Sequence, residues 1–185
     1  SPAGQAINAR HEPGTDTAAV NIGDIGQQHE SHAGQAIEAL QELDTDEAAR
    51  EIGGIGFEHK SGAGQAIDAL QELGTDMAAR QIAFIGLQHE SHAGQAIEAL
   101  QKLGTDTAAR EIDFIVCQHS THAGQAIDAL KDIGTDEAVE KIASIAHKQD
   151  EQSLHGFRAM LERVEANLQE SSQDSPGETV RNAII

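Results

Sequence analysis

The sequence predicts an all-α protein built as an α-solenoid, a stack of helical hairpins. Three observations carry this expectation. First, one thirty-residue unit is written five times without insertion: Ala-Gly-Gln-Ala-Ile recurs at residues 3–7, 33–37, 63–67, 93–97 and 123–127, and Thr-Asp at 15–16, 45–46, 75–76, 105–106 and 135–136. A fixed period of this size is the signature of repeat architectures. Second, the apolar residues of each unit fall three and four apart, the helical period, in two runs separated by a glycine or its substitute. Third, no unit holds enough apolar bulk to offset the entropy of ordering its own chain, so the copies must bury their faces on one another.

Residues 61–90 serve as the model unit. Its first helix carries Ala63, Ala66, Ile67, Leu70 and Leu73 on one side. Gly74 follows, suited to the left-handed position that ends a helix. Thr75 or Asp76 then caps a second helix by accepting from free backbone N–H groups. That helix bears Ala78, Ala79, Ile82, Ile85 and Gly86 on one face and runs to about His89. Ser91 is expected to cap the first helix of the next copy. Glycines repeated within helices (Gly4, Gly34, Gly64, Gly94 and Gly124; Gly26, Gly56 and Gly86) are expected to mark close helix approach, since each costs about 1 kcal/mol relative to alanine.

The copies are residues 1–30, 31–60, 61–90, 91–120 and 121–150. In the first, Asn8, Arg10, His11 and Pro13 break the apolar pattern, as a terminal unit with a polar outer face requires, and Pro13 should end its first helix early. The second gathers Gly53, Gly54 and Gly56 and is expected to have the softest second helix. In the fifth, Glu140 replaces the arginine of earlier copies. From Ser153 the apolar phase slips, and Leu154, Phe157, Met160, Leu161, Val164 and Leu168 make an amphipathic helix over about 153–169. It is expected to cap the fifth copy, so that the solenoid occupies residues 1–170. Residues 171–185 read as a tail whose apolar end, Ala183-Ile184-Ile185, either docks or frays.

Acidic residues outnumber basic ones by 31 to 12, a net charge of −19, which opposes nucleic-acid backbones and anionic membranes. No apolar run approaches the roughly 20 residues that span a bilayer. The expected partner is therefore a protein or peptide, basic in character, met by a soluble chain that is cytoplasmic or delivered. With no Trp or Tyr and four Phe, the core must be Ala, Ile and Leu. Cys117 has no second cysteine to pair with, and it shares the column of Phe57 and Leu87, so it is expected to pack.

Residues 66–79, Ala-Ile-Asp-Ala-Leu-Gln-Glu-Leu-Gly-Thr-Asp-Met-Ala-Ala, resemble the HEAT-like repeats of the phycobilisome-lyase type, whose first helix reads A-x-x-A-L-x-x-L-G before an acidic cap. The resemblance covers residues 1 to about 150. It implies a right-handed α-solenoid whose second helices line a concave binding face. Residues 34–41 are also similar to the second helix of TAL-type DNA-binding repeats. Those repeats need a variable base-reading pair and a basic track, whereas both turns here are nearly invariant and the charge is −19.

Two constellations are candidates for function. Arg50, Arg80 and Arg110 share one column of the second helices, with Phe84 and Phe114 one turn on and Phe57 and Leu87 three residues further. This side offers guanidinium and apolar contacts in alternation, a recognition surface. The competing account pairs the arginines with Glu47, Glu51 or Glu111 and packs the Phe and Leu between copies. The second constellation is histidine: His29, His59, His89 and His119 in one column, His32, His92 and His122 in another. The resulting His-x-x-His pairs, with Glu30 or Glu90 adding an oxygen, have ligands for Zn²⁺ or Ni²⁺ and would respond to pH near 6. Each pair straddles a helix break, however, where imidazole caps carbonyls equally well. The Gln5, Gln35, Gln65, Gln95 and Gln125 column reads as an inter-copy ladder. Nothing breaks the repeat symmetry as a catalytic site would, so neither an enzyme nor a cofactor is expected.

Overall fold

The computed structural model describes residues 16–173, and no strand occurs among them. The helices are α1 (Asp16–Gln28), α2 (Glu30–Gln41), α3 (Asp46–Glu58), α4 (Ala63–Leu73), α5 (Asp76–Gln88), α6 (Glu90–Leu103), α7 (Asp106–Gln118), α8 (Ala123–Ile133) and α9 (Asp136–Gln173), with a 3₁₀ turn at Ser120–His122. The chain divides into two compact units, Ser1–Ile145 and Ala146–Ile185. The expectations for Asn8, Arg10, His11 and Pro13, and for Ala183-Ile184-Ile185, lie outside the described residues.

In the first unit the helices form two layers. First helices pack on first helices (α2 on α4, α4 on α6, α6 on α8), and second helices on second helices (α1 on α3, α3 on α5, α5 on α7). From α1 to α8 each helix also meets the next in the chain, so successive copies touch from the first to the fifth. The core is the predicted Ala-Ile-Leu lattice: Ile37, Ile67 and Ile97 in one layer and Ile22, Ile52, Ile82 and Ile112 in the other are fully buried. Close approach is found at Gly26, Gly56 and Gly86, whereas a Cβ at Gly124 would have nothing within 4 Å, so that glycine is not required by packing. A Cβ at Gly56 would lie 2.6 Å from Ile85 Cδ1 and 2.7 Å from Ala66 Cβ.

Local signals account for most boundaries. Gly74, Gly104 and Gly134 take φ near +66°, +65° and +67°, the left-handed end of a first helix. Asp44 holds the equivalent place in the second copy at φ +51°, a conformation aspartate tolerates better than most residues. Of the two candidate caps, threonine does the work: Oγ1 of Thr45, Thr75, Thr105 and Thr135 accepts from the N–H three residues on at 3.0–3.2 Å.

Two boundaries differ from the sequence reading. Ser91 is not an N-cap. Helix α6 begins at Glu90, leaving His89 as the extended link after α5, with no side-chain cap. The backbone turn His92 N–H to His89 C=O, 2.8 Å, ties the start instead. At the other end α9 does not stop near residue 149 and restart at Ser153 but runs unbroken to Gln173. The stretch Ala-His-Lys-Gln-Asp-Glu-Gln-Ser contains neither Gly nor Pro, so a slip in apolar phase changes the face presented without interrupting the backbone. Helix α3 likewise continues through its three glycines, Gly53 and Gly56 being buried.

Candidate functional site

The outward side of the second helices gathers the arginine and aromatic columns. Positions 50, 54 and 57, or 80, 84 and 87, are one and two turns apart and share a face. Arg50, Arg80 and Arg110 are all exposed. Arg50 Nη1 donates to Glu47 Oε2 at 2.6 Å, and Arg110 Nε reaches Glu137 Oε1 of the following copy at 3.5 Å. Phe57 stacks on Phe84 of the next copy, centroids 4.4 Å apart and planes 11° apart. Phe84 nevertheless stays 45% exposed and Phe114 59%, while Leu87 is half-buried against the core. The two accounts of this surface are therefore both present: ion pairs hold two of the arginines, and one aromatic contact bridges copies, yet apolar rings still face solvent. Cys117, expected to pack, is exposed instead, its Sγ 3.9 Å from Asp113 Oδ1.

Two carboxylates of the second helices, named in the sequence only as partners for the arginines, are also perturbed by burial. Glu51 lies in the space left by Gly23, where a Cβ would fall 1.9 Å from Glu51 Oε2, and Gln81 uses Gly53 in the same way. Burial, then Glu47 and Asp24, push the Glu51 carboxyl up to about 7, against a 2.9 Å bond from Gln27 Nε2 that favours the charged form. Burial likewise raises Glu111, opposed by Arg80 and Arg110. A usable signal existed: small residues recur at positions 23, 53 and 83, and Gly23 and Gly53 each face the polar residue two places earlier in the next copy.

The histidines form a structural ladder. His59 Nε2 lies 3.0 and 2.9 Å from the carbonyls of Gly26 and Gln27, His89 Nε2 3.1 and 3.0 Å from those of Gly56 and Phe57, and His119 Nε2 3.0 Å from that of Leu87. A carbonyl only accepts, so Nε2 carries the proton. Each imidazole thus caps the second helix one copy back rather than its own. His29–His32 and His89–His92 sit edge to face at 5.9 and 6.1 Å between centroids. In the second column, Nδ1 of His92 lies 3.2 Å from Ser91 Oγ and Nδ1 of His122 3.3 Å from Gln125 Oε1. Burial, then His89 and Lys60, holds His92 below the usual imidazole range. Among the described residues no three His, Cys, Asp or Glu side chains converge as a metal site would require. A surface cleft of about 590 Å³ on this edge is lined by Lys60, Gln88, His89, Glu90, Ser91 and His122.

Among the described residues no helix is long and apolar enough to cross a membrane. No family model matches the sequence, and no curated protein matches it. Among solved structures the chain is similar to a de novo designed 16-helix transmembrane nanopore studied by cryo-electron microscopy, at 22% identity. The match covers 92% of this chain and 64% of that one, with a TM-score of 0.21, a value that carries no inference about fold or function.

Proposed function

We propose that the chain is a non-catalytic repeat scaffold, a right-handed α-solenoid of five HEAT-like hairpins that binds a protein or peptide through the outer face of its second helices. The solenoid reading is supported by the layer order and by bonds that step from copy to copy, the histidine ladder above all. One observation carries the binding reading: Phe84 and Phe114 stand exposed, one turn from Arg80 and Arg110, on helices whose opposite side is fully buried. Aromatic and arginine side chains together are the residues that dominate binding energy at protein interfaces. Glu51, Glu111 and Asp113 lie among them, and the chain as a whole is strongly acidic, so a segment with apolar and basic side chains suits the face.

The test is a photo-crosslinking residue placed at position 84, with position 68 on the first-helix layer as control. Partner adducts at 84 and not at 68 are expected. Adducts at 68 alone, or at neither, overturn the assignment. The double variant Arg80→Glu with Phe84→Ala should abolish capture while leaving helicity unchanged.

A further inference from the structure

The first and the fifth copies each leave open one half of the interface that joins successive copies inside the chain. On the fifth copy the open half faces forward. Val139 is 62% exposed, whereas Ala49, Ala79 and Ala109 in the same column are buried. Ile127 and Ile142 are half-buried, whereas Ile97 and Ile112, their counterparts in the fourth copy, are fully buried. The amides of Gln65, Gln95 and Gln125 reach over the glycine of the copy before, but over Gly124 an added Cβ would meet nothing within 4 Å. Apolar positions that elsewhere lose their water to the next copy keep it here. On the first copy the open half faces backward, along α1. Ile25 is half-buried where Ile55, Ile85 and Ile115 are fully buried. His29 is exposed, whereas His59, His89 and His119 each reach a carbonyl of the copy before. These positions belong to the second helix of the copy, apart from the polar substitutions at residues 8–13.

We infer that the two halves meet: the first copy of one chain docks on the fifth copy of another, head to tail, and the stack continues across chains. The internal junctions choose this occupant. At each of them the forward face is covered by a further copy of the same unit, and the first copy is the one whose backward face is free. The register across chains follows by counting on. Inside the chain Gly23 faces Glu51 and Gly53 faces Gln81, a small residue against a polar one. The same step sets Ala143 against Asn21 of the second chain. It also sets Glu140 opposite Thr17, where Arg110 meets Glu137 inside the chain, so no like charges oppose. The column that pairs Gln41 with Glu72 and Gln101 with Asp132 continues as Lys131 with Glu12, an ammonium against a carboxylate. Glu12 lies outside the described residues, and its place is read from the repeat alone. Such a contact is heterologous, and every chain added presents the same open face, so assembly grows past a dimer.

Sedimentation of the full chain from about 1 μM to about 500 μM, in about 0.15 M salt to screen the net charge, tests this. The average mass should rise past that of two chains. A chain that stays monomeric overturns the proposal, whether residues 146–185 or another protein then covers the fifth copy. So does one that stops at two, the mark of a symmetric pair. Variants blocked at one end test the two halves separately. Val139→Glu blocks the forward face and Ile25→Glu the backward one. Each alone should sediment as one chain with its helical circular dichroism intact. Mixed in equal amounts they should form a pair and nothing larger, because one free forward face meets one free backward face. No pairing in the mixture, or self-pairing of either variant alone, overturns head-to-tail docking. If Ile25→Glu loses helicity, Asn21→Trp, too bulky to sit opposite Ala143, takes its place with the same readouts.

Discussion

The two outer faces of the first unit are built over the same core and carry opposite chemistry. The first-helix layer shows Glu38, Glu42, Asp68, Glu72, Glu98 and Asp128 to solvent and stitches itself together with amides. Gln95 Nε2 donates to Gly64 O at 3.1 Å and Asp68 Oδ1 at 3.0 Å, Gln125 Nε2 donates to Gly94 O at 3.0 Å, and Gln41 donates to Glu72. The second-helix layer shows Phe84 and Phe114 between its arginines. Polar groups that already bond one another gain little from a partner, whereas exposed rings gain by losing water. The difference is the ground on which the second-helix side is proposed as the binding face.

The comparison assumes that the layers are equal inside, and the largest expected effect tests that. Ile82→Ala in α5 and Ile97→Ala in α6 should each cost about 2–5 kcal/mol, since both side chains are fully buried. Urea unfolding of the two variants checks it, and a large gap between them would mean that one layer alone holds the fold. Next in size is a pair of glycines. Gly56→Ala should destabilise by about 1–3 kcal/mol, because the new methyl overlaps Ile85 and Ala66. Gly124→Ala, with nothing within 4 Å of the added carbon, should stabilise by up to about 1 kcal/mol through helix propensity. Thermal melting separates the two signs.

A subtler difference between the layers is the carboxyl squeezed between α1 and α3. Glu51 holds its proton up to about 7, against 4.5 for a free glutamate. Between those values the folded chain binds more protons there than the unfolded chain, so stability from this group falls as pH rises. Its contribution is fully present below about 4.5 and lost by pH 7. Glu51→Gln, which copies the Gln81 of the next repeat, should raise stability at pH 8 by about 1 kcal/mol, allowing for solvent screening of a half-exposed side chain. At pH 4 it should change little. Melting at the two pH values reads the difference, and equal shifts would remove the carboxyl from the argument.

The smallest effect is the sharpest for the comparison. Phe114→Ala should alter stability by no more than about 0.5 kcal/mol, because the ring is 59% exposed. Gln95→Ala on the other layer should cost about 1 kcal/mol by losing its bonds to Gly64 O and Asp68 Oδ1. If the aromatic proved the more costly of the two, the ring would belong to the fold rather than to a partner.

The sequence alone determined the hairpins, their helical period, the place of the second-helix caps (though not the choice of threonine over aspartate), the left-handed glycines and the identity of the core, because each is set within a few residues of chain. It also placed the arginine and aromatic columns on one side of a helix. What it left open was everything decided across copies. The histidines cap helices 32 or 33 residues back. Gly23 makes room for Glu51. Phe57 leans on Phe84, while Phe114 and Cys117 stay open to solvent. A period says that neighbours stack; the offset and rotation between them come only from packing side chains of particular sizes, and only the tertiary structure contains that answer.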